Sequence, residues 1–156
     1  MADPLSVAAG VVGIIAPALH WTRLLIVDLH NISDAPDVVK SLEGDVNLID
    51  RTLQSLKAIT QPQWEALGTS VIEQWKETTS ACTESCKKFR TDLQGWTRHS
   101  SGGKLSWRDR ANVGFFQQGR TKSMSDQLHN YQASLNLVIS TATLYVCFQT
   151  NYTTYF

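Results

Sequence analysis

Cysteine is scarce in this chain. Cys82, Cys86 and Cys147 are an odd set of three, and no His or Cys recurs around them at ligand spacing, so neither a disulfide framework nor a zinc site is indicated and a reducing cytoplasm is the expected setting. Lysine and arginine are missing altogether before Arg23. A secretory leader needs a positive start, and Asp3 stands there instead. Period-two alternation never runs long enough to argue a sheet. Around Gly102-Gly103-Lys104 the spaced first glycine, the Ser or Thr after the lysine and a preceding strand are all lacking, which excludes a phosphate-binding loop. None of His20, His30, His99 and His129 stands at a spacing from a carboxylate or cysteine that names a catalytic dyad. No enzyme, catalytic residue, cofactor, metal or small-molecule substrate is therefore expected.

What the chain does have is helix-period apolar spacing. At 156 residues it has the length of one domain and buries roughly 68–70% of its unfolded surface, enough for a core without staples. Val39, Leu42, Val46, Ile49, Leu53 and Leu56 recur at intervals of three and four, the seam of a bundle helix. Ser33 or Asp34 offers its N-cap, with Pro36 in the first turn. After Gln61-Pro62 the same spacing links Trp64, Leu67, Val71, Trp75, Cys82, Phe89, Leu93 and Trp96 in one long third helix. Ser106 to Asp109 fits a capping box before a short helix carrying Val113, Phe115 and Phe116. Ser123 to Asp126 repeats the device, and Met124, Leu128, Tyr131, Leu135, Val138 and Ala142 predict a last helix ending near Leu144. The fold class is all-α, a bundle of four to five helices.

The first helix is the unusual one. From Leu5 to Leu19 only Ser6 is polar, so Leu5, Val7, Val11, Val12, Ile14, Ile15 and Leu19 leave no polar face. Pro17 predicts a kink or division. Such a helix suits the centre of a bundle enclosed by the later seams, a partner groove, or a membrane. The apolar run is short for an ordinary span, which needs about 20 residues. Trp21 beside Arg23, and Trp107 beside Arg108, suit a membrane interface as well as a core.

Net charge is zero, but it is unevenly placed. Met1 to Asp50 holds two basic residues against seven acidic ones, whereas Lys87 to Lys122 holds nine against two. Either the basic segment packs beside the acidic one, or Lys87, Lys88, Arg90, Arg98, Lys104, Arg108 and Arg110 meet an anionic surface such as lipid headgroups. No nucleic-acid-binding motif accompanies them, so no nucleic-acid partner is expected. The uncharged, aromatic and threonine-rich Tyr145 to Phe156 reads as an appended tail, disordered or the product of a misread frame, outside a domain of residues 1–144.

The opening Met1-Ala2-Asp3-Pro4-Leu5-Ser6-Val7, with Ala8 to Ile14 after it, resembles the fungal N-terminal domain of STAND, or NOD-like, receptor proteins and ankyrin-repeat proteins. It is similar in particular to the azaphilone pigment biosynthesis cluster protein L N-terminal domain, a HeLo-like relative. The Val38 to Ile59 helix, Phe89 to Trp96, the Gly102 to Trp107 turn and the Met124 to Leu144 helix with Gln127-Leu128 carry the likeness on to Leu144. The resemblance implies a helical signalling or effector module that brings no catalytic residues. Such modules are normally fused to a nucleotide-binding oligomerisation domain and repeats, and in the better understood relatives the apolar first helix is released on activation and damages membranes. Here neither fused part follows, so an isolated module or a fragment is expected, with other protein domains, its own kind among them, or an anionic membrane as partners. A scaffold bundle whose first helix never leaves the core, and an accessory protein of a secondary-metabolite cluster, are the alternative readings.

Overall fold

The computed structural model describes residues 4–32, 35–99 and 118–154, with side chains from residue 9 onward. Those residues form five helices and no strand: α1 Pro4–His30, α2 Asp37–Lys57, α3 Gln61–Leu67, α4 Thr69–Trp96 and α5 Gln118–Thr154. The predicted turn and short helix of Ser100 to Gln117, with Lys104, Arg108 and Arg110, lie outside the described residues, as do Ser33 and Asp34 and the side chains of Leu5 and Val7.

The four long helices form a ring in which α1 packs on α2 and α4, and α5 packs on the same two from the other side. The pairs Arg23 with Asp50 and His30 with Glu43 set α1 antiparallel to α2, and Trp21 with Lys87 and Asp28 with Arg90 set it parallel to α4. α3 lies across one end, against α5, α1 and α4. The predicted seams are the core: all six named residues of α2 are buried, as are Met124, Leu128, Leu135, Val138 and Ala142 of α5.

Five local expectations need correction. α1 is not divided at Pro17. Pro17 and Gly13 are both exposed, so the carbonyl that proline leaves without a donor lies on the watered side of the helix. α1 is also not enclosed; it occupies one corner of the ring and buries one stripe. Pro36 takes the cap position of α2, which starts at Asp37. The long third helix is broken at Gly68, whose φ of 82° and ψ of 157° turn the chain between α3 and α4 in a region open essentially to glycine alone. The last helix starts at Gln118, which makes Ser123 to Asp126 interior, and it runs past Leu144 to Thr154. No glycine or proline follows Gly119, so nothing stops it.

Candidate functional site

The candidate site is α1 and the groups that hold it. Its buried stripe is Val11, Ile15, Ala18, Leu19, Thr22, Leu25 and Leu29, at the three-and-four spacing that faces one side of a helix. The outer face is Ala9, Val12, Gly13, Ala16, Pro17, His20, Arg23 and Val27. Val12 is 59% exposed. Among the described residues, Ala9–His30 is the one stretch long and apolar enough to cross a membrane by length and composition, with a mean hydropathy of 1.6, and only 33% of it is buried.

The two halves of α1 are held differently. Before Trp21 the described contacts are apolar. From Trp21 onward polar clamps appear. Arg23 Nε donates to Asp50 Oδ1 at 2.9 Å, and Gln54 holds the other oxygen of that carboxylate. Asp28 accepts from Arg90 Nε at 2.5 Å, a pair in which both side chains are three-quarters buried. His30 Nδ1 lies 3.0 Å from Glu43 Oε1. The half-buried Trp21 ring lies 5.3 Å from Lys87 Nζ and 6.0 Å from the Arg90 guanidinium carbon, within cation–π range.

Two of the predicted anionic-surface residues are engaged with α1. Arg90 neutralises Asp28, and Lys87 covers Trp21 while reaching Glu84 at 2.9 Å. Lys88 is exposed at the edge of an open groove of about 330 Å³ between α4 and α5, beside Glu84, Asp92 and Arg120. Arg98 is exposed and donates to His99 Nε2 at 3.2 Å. The charge asymmetry of the sequence is met in part by pairing across helices, as Arg90 with Asp28 shows.

Beneath Trp21 lies a polar seam that spacing alone did not connect to α1. Cys82 and Cys86 are fully buried. The neighbouring Cys86 thiol, one turn on, together with burial holds the Cys82 thiol well above its ordinary range. The Cys82 thiol shifts Cys86 the other way, against the effect of burial, and the Thr22 hydroxyl of α1 lies buried without a hydrogen-bond partner. Thr79 adds a buried hydroxyl without a partner one turn away. On the far side of the ring, Asp45 joins α2 to α5 by accepting from Ser125 and meeting His129 Nε2 at 3.0 Å. A serine, a histidine and an aspartate come together there in the wrong order for catalysis. The serine proton is given to the carboxylate, so the hydroxyl is not presented to the imidazole. That partner for His129 lies 84 residues away in sequence, beyond the reach of local spacing. No three His, Cys, Asp or Glu side chains among the described residues gather into a metal-holding group.

Residues 2–154 match the family model described as pigment biosynthesis cluster protein PigL N-terminal. The chain belongs to this family. The PigL N-terminal match extends ten residues beyond Leu144, over the final turns of α5. No curated protein and no solved structure matches the chain.

Proposed function

We propose that this PigL N-terminal domain is a non-enzymatic signalling or effector module of the kind joined to NOD-like receptor or pigment-cluster proteins, and that it acts through α1. The working part is the first half of that helix. In the resting bundle it buries Val11, Ile15, Ala18 and Leu19 against α2 and α4; on activation it exchanges that burial for a membrane, with the clamps at Trp21, Arg23, Asp28 and His30 as the hinge side. The observation that carries this reading is the division within one continuous helix: an apolar half with Val12 exposed and no described ion pair, and a second half tied by three polar pairs.

The exchange is energetically close. Burial of a Val, Leu or Ile side chain contributes roughly 1.5–3 kcal/mol in either apolar environment, so the first half gains about as much in lipid as it gives up in the core. Arg23 and Asp28 oppose insertion of the second half, because each charge at a bilayer centre costs about 2.5–3.5 kcal/mol or more. The test is flotation of the whole chain with neutral and anionic phospholipid vesicles. The chain is expected to float, and Val12→Glu, which charges the exposed face without touching the core, is expected to stay behind with its thermal unfolding unchanged. Equal and negligible flotation of both, in the intact chain and in the clamp variant Asp28→Asn, contradicts the reading.

A further inference from the structure

A threonine inside a helix has a bond close at hand, because its hydroxyl can donate to the carbonyl four residues back. Thr52 and Thr83, both buried, do so, reaching Leu48 O at 2.9 Å and Thr79 O at 3.0 Å. Thr78 and Thr91 of α4 do the same. Thr22 and Thr79 depart from the habit. Both are fully buried, and neither hydroxyl has a partner. Among the described residues the one other buried side-chain polar atom so stranded is Trp75 Nε1, in a ring that packs on Trp64 of α3 at 4.7 Å. All three atoms belong to α1 or α4, and among the described residues α2 and α5 have none.

The two threonines fall in one helix contact. Trp21 lies on Lys87 and Asp28 on Arg90, so α1 and α4 run side by side in a fixed register. That register sets Thr22 beside Cys86. It brings Thr79, two turns earlier on the same face of α4, level with residues 13–17 of α1, whose buried member at the centre is Ile15. Thr22 therefore stands at the join between the clamped half of α1 and the apolar half, and Thr79 stands beneath the apolar half.

A hydroxyl kept from water without a bond loses its hydration and gains nothing in exchange. Valine has nearly the same shape and a similar helix propensity, and it loses no hydration there. The docked state of α1 is thus weaker than the same contact would be with valine at either place, and the difference is recovered when water enters. We propose that Thr22 and Thr79 form a release device for α1, two unpaired hydroxyls that loosen the docked helix and are rehydrated as its first half lifts. The inference rests on the reading that α1 moves, and supplies what keeps its hold weak.

Hydrogen exchange of the whole chain, followed at residues 9–19 with denaturant unfolding alongside, tests it. Thr79→Val and Thr22→Val are each expected to slow exchange of those amides by roughly tenfold, to raise the denaturant midpoint and to lower flotation with vesicles. Thr83→Val and Thr52→Val remove hydroxyls that are bonded and are expected to bring none of these gains. If residues 9–19 open in the unaltered chain while Thr79→Val and Thr22→Val leave their exchange unchanged or faster, the device is overturned and the movement of α1 stands. A lower midpoint in both variants also overturns it, because it shows the two hydroxyls to be bonded. Residues 9–19 that exchange as slowly as α2 in the unaltered chain remove the movement itself, and the device with it.

Discussion

Single residues set the boundaries and the stability of this bundle. Gly68 is the clearest case: its backbone lies where a side chain costs about 1–3 kcal/mol, so Gly68→Ala should lower stability by that amount in chemical denaturation although open space surrounds the added carbon. Gly44 is the opposite. It sits inside α2, exposed, with nothing within 4 Å of an added carbon; Gly44→Ala should stabilise by roughly 0.5–1 kcal/mol and raise the unfolding temperature by a few degrees. Leu53 is fully buried between helices, and Leu53→Ala should cost about 2–5 kcal/mol, read as a lower denaturant midpoint.

At the scale of the element, what could be read in advance depended on how local the cause was. The α2 seam was fully legible because Val39 to Leu56 meets the core at every predicted position, a matter of 3.6-residue periodicity alone. Pro17 does not divide α1, because the effect of a proline depends on which side of the helix it faces, and that is set by packing. The break at Gly68 leaves no mark on the apolar pattern, because Trp64, Leu67, Val71 and Trp75 keep helical spacing across it. The predicted end of α5 near Leu144 follows the point where burial stops, Ala142, whereas the backbone continues to Thr154. The site residues were partly legible. Val11, Ile15 and Leu19 of α1 are core as the run requires, whereas Arg90 and Lys87 act across 62 or more residues on Asp28 and Trp21, and composition could show only that charges of opposite sign were available. The clamp is testable by itself. Asp28→Asn leaves the three-quarters-buried Arg90 without its counter-charge, so stability should fall by about 1 kcal/mol and vesicle flotation should rise.

For the whole molecule, the ring arrangement gives α1 and α5 opposite corners and similar standing: each docks on α2 and α4, and each leaves an apolar face outside. The membrane reading uses the first of these faces. What separates the account from that of an inert scaffold is the unequal hold on α1. Local opening draws on the elements with the fewest and weakest contacts, and in α1 the polar contacts are gathered toward one end. Hydrogen exchange read by mass spectrometry along α1, with and without phospholipid vesicles, tests this most directly. The account predicts that amides of residues 9–19 exchange faster than those of 21–29 in the free chain, and that vesicles change the protection of the first group while leaving the second as it was. Uniform exchange along α1 at the slow rate of α2, unaltered by vesicles, would contradict it.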